Sequence, residues 1–354
     1  MKVWDCIVVG GGVIGLSVAL ELRRAGAEVA LIDKSEPGHE ASHAAGGMIA
    51  DLDPSLPETL RPLSHASAAM YPEFVHLLQD ESGLKIDFRT NGTLAFVEHP
   101  VHESESVRVM TAAEAKTLEP AIEPPHDPAY FMKENAVDPR ELVAALLATV
   151  RHRQVEIVTG SPATEIVVEH GVAVGVRTER AVYHAKSIVN CAGAWAAQIK
   201  PLAIPTRPVK GHMLSLVFPE ATEPVLTHVV RSRWCYVLPR STGKYVVGST
   251  VEPAGFDKSV NTYKIKKLQE AAVRLVPKFA EARMHEAWAG LRPGTPDNLP
   301  VIGATSVRNY FACTGHYRDG ILLAPASAAA IAKVVQGAPC PFDLTPFSPH
   351  RFNL

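Results

Sequence analysis

Gly10-Gly11-Gly12-Val13-Ile14-Gly15 decides the fold, read with Cys6-Ile7-Val8-Val9 before it and Val29-Ala30-Leu31-Ile32-Asp33 after it. The two apolar runs have the length of strands buried on both faces of a parallel sheet. Between them, Val13 to Ala25 carries apolar residues at helical spacing and ends at Gly26, which accepts a left-handed stop. Strand, glycine turn, helix and strand open an α/β domain. Gly10, Gly12 and Gly15 fit G-x-G-x-x-G: the first permits the tight turn, the second lets backbone approach a pyrophosphate, the third packs helix on strand. Val13 and Ile14 open the helix, whose N-terminus offers N–H groups to phosphates. Asp33 is placed to accept from a ribose 2′-hydroxyl and disfavours a 2′-phosphate. The pattern predicts an adenine dinucleotide; a glycine turn that binds nothing leaves Asp33 unexplained.

At 354 residues the chain exceeds the size at which one core keeps growing, so two domains are expected. A net charge of −2 and no basic tract argue against nucleic acid as a partner. Lys2 followed by apolar Cys6–Leu20 loosely resembles a secretion signal. Asp5, three consecutive glycines and the charges Glu21, Arg23 and Arg24 fit strand–turn–helix better. No apolar run approaches the ~20 residues that span a bilayer, so no membrane association and a cytoplasmic protein are expected. Cysteines 6, 191, 235, 313 and 340 are scattered and form no C-x-x-C, which suggests reduced thiols and no metal site.

Further along, Asp138-Pro139-Arg140-Glu141 predicts a capped helix with a capping box. Strands are expected at 155–158 and 187–191, with a hairpin through His170-Gly171. The segments 213–218, 234–238 and 245–249 are β-rich, and Asn261 is expected to cap a helix that Pro277 ends. With 87–97 they suggest a mainly antiparallel substrate domain inserted into the nucleotide domain. The small-residue stretch 324–335 reads as a helix packed on the sheet. Ala41-Ser42-His43-Ala44-Ala45-Gly46-Gly47-Met48 follows the second strand with little bulk, as backbone running beside a flavin needs. On composition it is equally a flexible loop; the absence of another βαβ unit here leans towards FAD over NAD.

The motifs GGGVIG at 10–15, SHAAGGM at 42–48, AGAW at 192–195, WCYVLPR at 234–240, VVGST at 246–250, WAGLRPGTPDNLPVIG at 288–303 and TGHYRDGILLAP at 314–325 resemble, in this order and over nearly the whole chain, the glycine oxidases. These are D-amino-acid-oxidase-like flavoenzymes of thiazole (thiamine) synthesis. The resemblance implies an α/β fold of glutathione-reductase type, with a discontinuous FAD-binding domain (1–82, 137–200, 287–354) and a substrate-binding domain (83–136, 201–286). It implies oxidative deamination of glycine and small amines, with hydride passing from Cα to flavin N5. The imine would hydrolyse to 2-oxo acid and ammonia, or enter thiazole formation, and O2 would become H2O2. Other outcomes left open are a sarcosine, D-alanine or D-proline oxidase or dehydrogenase, and a non-catalytic flavin-binding subunit. A homotetramer is the family's assembly.

By the same resemblance Arg292 binds the substrate carboxylate and Tyr236 lines the pocket, while His316, Tyr317, Arg318, Asp319, Gly320, Ile321 and Leu322 wrap the flavin. Lys34, Ala163, Ala192, Gly193 and Trp195 join Gly10, Gly12, Val13, Ile14, Gly15, Asp33, Ala41, Ser42, Ala45, Gly46, Gly47 and Met48 as cofactor neighbours. Arg292 could instead be an interface arginine salt-bridged to an acid, and Tyr236 a core aromatic. Arg318 stands evenly between a substrate group and a fixed ion pair. Trp234 and Val251 depart from the family pattern where histidine and methionine are usual, and both are expected to border the pocket. No cysteine occurs between Cys235 and Cys313, where related sarcosine oxidases attach their flavin, so FAD is expected without a covalent bond.

Overall fold

The computed structural model describes residues 2–98, 101–218 and 223–354. The opening unit forms as its sequence requires: strand Val3–Val9, helix Val13–Arg24 and strand Val29–Ile32, the two strands pairing in parallel. The first strand also pairs in parallel with Val182–Asn190, which runs parallel to Tyr310–Thr314. This sheet extends through Glu156–Val158 at one side and the hairpin Ala163–Glu169/Val172–Thr178 at the other. His170 and Gly171, both at positive φ, make the hairpin turn.

Helices Val13–Arg24, Arg61–Ser82, Pro139–His152 and Gly320–Val335 contribute one continuous core with this sheet, through Leu16, Leu20, Tyr71, Leu142, Leu146, Leu323 and Ile331. The helix Arg61–Ser82 escapes the sequence reading because Pro62 and Pro72 interrupt its signal; the first stands at its start, the second inside it. Gly320–Val335 begins one turn earlier than the small-residue run suggests. The Asp138 cap forms, accepting from the N–H groups of Arg140 and Glu141, but the box does not close. The Glu141 carboxylate accepts instead from the Asp87 N–H at 2.6 Å.

A second large sheet runs in the order Arg283–Gly294, Arg207–Val217, Tyr245–Gly248, Tyr236–Pro239, Val229–Arg231, Thr93–Ala95, Ala129–Met132, Val107–Met110. It is antiparallel apart from the pairing of Val229–Arg231 with Thr93–Ala95. Helix Thr262–Leu275, capped by Asn261 as expected, covers one face through Ile265, Leu268 and Leu275. The sheet's other face looks towards the loop 41–48, and Trp288 donates its indole N–H to the Ala44 carbonyl at 3.1 Å. A small sheet of Met48–Ile49, Asn135–Val137 and Phe88–Arg89 joins the two halves.

Candidate active site

Between the two large sheets lies a cavity of about 550 Å³, lined by residues of both. One end is the glycine turn. Gly10 has φ +102°, and a side chain on it would stand 2.7 Å from the Cys191 carbonyl carbon. Gly15 is not a wall of the cavity; its Cα packs against the Gly10 backbone, where a Cβ would lie 3.0 Å from the Gly10 carbonyl carbon. Gly12, Val13 and Ile14 line the cavity. The helix they open has no side-chain cap on its N-terminal residue and no acid in its first turn, although Ser42 Oγ accepts from the Val13 N–H. A second helix N-terminus, at Gly320, opens on the same cavity; its N-cap residue is Asp319, whose side chain makes no capping bond. The acid-free helix end at Val13 suits an anionic, phosphate-bearing cofactor.

Asp33 lines the cavity at the end of its strand. Its carboxylate accepts from the Gly11 N–H at 2.6 Å and the Ser35 N–H at 2.8 Å, which fixes the turn and leaves lone pairs for a hydroxyl. Burial raises its carboxyl above the usual range, against the two backbone N–H groups. Lys34 sits 3.5 Å from the centre of the Trp195 ring, and both line the cavity with Ala163, Ala192 and Gly193. Ala41, Ser42 and Ala45–Met48 form one wall, and 316–322 another. His316 is buried, its Nε2 3.0 Å from Ser327 Oγ. Burial pushes the Asp319 carboxyl up to about 6, with Arg318 opposing.

Arg292 and Tyr236 stand on strands of the second sheet separated by Arg207–Val217 and Tyr245–Gly248, and both line the cavity. Arg292 Nη2 donates to Ser249 Oγ at 2.7 Å and Nη1 to the Thr250 carbonyl at 3.1 Å. Among the described residues no Asp or Glu forms an ion pair with it. Burial pulls the guanidinium below its ordinary value, the nearby Tyr236 opposes this, and Arg318 adds to it; arginine stays protonated all the same. Room for the fork comes from Gly211, where a Cβ would lie 2.5 Å from Nη2. Tyr236 is accommodated by Gly46 and Gly248, and its hydroxyl donates to Met213 Sδ at 3.3 Å. Arg318 is exposed to the cavity, with Asp53 and Asp319 as its electrostatic neighbours.

Trp234 and Val251 are a correction. Neither lines the cavity. Residues 232–235 form a turn held by Ser232, whose Oγ accepts from the Trp234 and Cys235 N–H groups, so strand alternation starts only at Tyr236. Trp234 lies outside, 4.9 and 5.1 Å from the guanidinium groups of Arg233 and Arg274. Val251 is 54% exposed where the chain leaves the sheet. The sequence reading missed Gly211, although a glycine inside a strand signals close backbone approach. It also missed the Arg231–Asp53 ion pair at 2.7 Å on the cavity wall, which has no local signal because 178 residues separate the partners.

These features define a dinucleotide-binding protein whose cavity is faced by a buried arginine without an acid partner. The chain belongs to the family described as FAD dependent oxidoreductase (DAO), whose model matches residues 5–334. It is 33% identical to the glycine oxidase of Pseudomonas putida over 97% of each chain. It is 31% identical to the hydrogen cyanide synthase subunit HcnC of Pseudomonas aeruginosa, over 99% of this chain and 97% of that one. The crystal structure of glycine oxidase from Geobacillus kaustophilus superposes with a TM-score of 0.92 at 29% identity, covering 99% of both chains. The protein is an FAD-dependent enzyme that oxidises an amine or amino-acid substrate, with the flavin held non-covalently. Among the described residues no helix is long and apolar enough to cross a membrane, and no cluster of metal-ligating side chains occurs.

Proposed function

We propose that the substrate is glycine or another small amino acid or amine, oxidised at its Cα–N bond and released as 2-oxo acid and ammonia while O2 becomes H2O2. In the same reading the imine supplies thiazole synthesis. The observation that carries this is the acid-free Arg292 fork, held by Ser249 and Thr250 and open to the cavity. A buried arginine normally has an acid partner; here the missing partner is the substrate's carboxylate, bound bidentately.

When bound in the cavity, FAD would supply the two-electron acceptor. Gly12–Ile14 and their helix N-terminus would hold its phosphates, Asp33 its ribose, and Lys34, Ala163, Ala192, Gly193 and Trp195 would serve its adenosine half. Residues 41–48 and 316–322 would serve its ring. Arg292 then anchors the carboxylate and fixes Cα. The Tyr236 hydroxyl, spent on the weak acceptor Met213 Sδ, is available to donate to a carboxylate oxygen. Arg318 supplies a second positive group on the same side. No carboxylate pair or Ser-His-Asp arrangement is needed, because the catalytic device is near-attack geometry with the amine entering neutral.

The test is anaerobic flavin bleaching by glycine, sarcosine, D-alanine and D-proline in parallel, followed by peroxide measurement in air. Bleaching by glycine with stoichiometric peroxide supports the proposal. Bleaching without peroxide supports a dehydrogenase that passes its electrons to another acceptor. A flavin that no small amine bleaches indicates a non-catalytic flavin-binding subunit. The homotetramer belongs to the same reading and is checked by light scattering.

A further inference from the structure

Behind the Arg292 fork lies a buried histidine that the proposed chemistry does not use. His212 follows Gly211 in strand Arg207–Val217 and is 0% exposed. The Asn261 N–H donates to its Nε2 at 3.0 Å, so the ring proton belongs on Nδ1. Nδ1 faces Thr250 Oγ1 at 3.0 Å and Glu252 Oε1 at 3.2 Å. Thr250 Oγ1 also accepts from the His212 backbone N–H at 2.9 Å, and the Thr250 N–H donates to the His212 carbonyl at 3.3 Å.

The regular strand Tyr245–Gly248 ends two residues before Thr250, and beyond it the backbone stays in contact with Arg207–Val217 through the Thr250–His212 bond and the paired Lys210 and Glu252. Ser249 and Thr250 supply both oxygens that hold the Arg292 fork. Resting on the reading of Arg292 as the carboxylate clamp, we propose that His212 is a positioning residue. Its imidazole ties Thr250 to the strand and thereby fixes the two acceptors that aim the guanidinium into the cavity. The charges around the ring are Glu252, which favours its cation, and Lys210 and Lys264, which oppose it; the Ser259 backbone also favours the cation. Lys210 is engaged by Asp257 at 2.9 Å and Lys264 by Glu252. Burial is the largest influence and lowers the ring's pKa, which keeps the neutral, bridging form in place.

His212→Phe keeps a ring and removes both nitrogens; His212→Asn restores a donor close to the Nδ1 position. Each is measured as flavin-loaded enzyme, alone and combined with Arg292→Ala. The readouts are KM and kcat for glycine and the dissociation constant of glycolate, from perturbation of the flavin spectrum. His212→Phe is expected to raise KM and the glycolate constant about tenfold, the worth of a hydrogen bond of ~1.4 kcal/mol. Turnover should stay within about twofold, because bound and reacting states lose the same contact. His212→Asn should recover most of the loss, and His212→Phe should add nothing in the Arg292→Ala background.

An unchanged glycolate constant in His212→Phe, an equal loss with and without Arg292, or no recovery in His212→Asn overturns the proposal. Should His212→Phe not fold, Thr250→Val removes the bridging oxygen from the other end, and the same tenfold shift or its absence decides. If Arg292→Ala itself binds glycolate normally, the clamp reading fails and this inference falls with it. If Arg292→Ala loses binding and His212→Phe does not, the inference alone fails.

Discussion

Gly211→Ala separates the space reserved for the Arg292 fork from the stability of the strand that provides it. The new Cβ would stand 2.5 Å from Arg292 Nη2 and 2.6 Å from Cζ. Non-bonded heavy atoms settle at about 3.5 Å or more, so the fork must withdraw by about 1 Å. Withdrawal on that scale stretches its bonds of 2.7 Å to Ser249 Oγ and 3.1 Å to the Thr250 carbonyl past useful length. The clashing atoms are the far end of a flexible side chain and Gly211 has no left-handed φ, so folding tolerates the change. Removing a strand-interior glycine can even stabilise by ~0.4–1 kcal/mol. Substrate binding should lose a charge-assisted carboxylate bond of roughly 1.5–3 kcal/mol, about 10- to 100-fold in KM. The assay is steady-state oxidation of glycine by flavin-matched holoenzyme, beside thermal melts. A melting temperature equal to or above that of the parent with a raised KM is expected; an unchanged KM refutes the reasoning.

Other expectations follow from the same geometry. Glu81 accepts from Arg153 at 2.6 and 2.8 Å and from Arg24 at 3.0 Å, and these bonds hold its carboxyl down at about 2. A depressed acid stabilises fully above its unfolded value, and that contribution is lost as pH falls through the folded one. Glu81→Gln should therefore cost about 1–2 kcal/mol at pH 7, after solvent screening of this partly exposed network. More than half of the difference should be gone by pH 3, as read by urea unfolding. Gly15→Ala drives a methyl into the Gly10 backbone and should cost ~1–3 kcal/mol, with flavin lost on gel filtration. Trp195→Ala removes the ring beneath Lys34, a contact worth ~0.5–2 kcal/mol. It should weaken flavin retention while leaving KM for glycine unchanged; a raised KM with normal flavin content would show that Trp195 serves the substrate instead.

The nucleotide half of the fold was legible because its determinants are local. Strand, turn, helix and terminal acid all fall within Val3–Asp33, and each choice is made by neighbours in sequence. The substrate half was legible only as β-rich. Its longest strand, Arg283–Gly294, contains Pro293 and Gly294 and takes its conformation from eleven-residue pairing with Arg207–Val217. Arg292 and Tyr236 were found through motifs, and the structure brings them to one cavity. The Ser249 and Thr250 oxygens that hold the fork, and Gly211 beneath it, depend on pairing between distant segments and leave almost no trace in a single sequence. Trp234 shows the opposite failure: the family pattern puts it at the border of the pocket, and the turn 232–235 carries it outside.

Anaerobic rapid mixing of the flavin-loaded protein with glycine, for the parent chain and Arg292→Met, tests the central claim most directly. The account predicts that the parent's flavin bleaches with a rate that saturates in glycine. In the variant, still yellow, that rate should stay slow and rise linearly with concentration. Saturation at the same glycine concentration in both proteins, or a parent flavin that never bleaches, would contradict it.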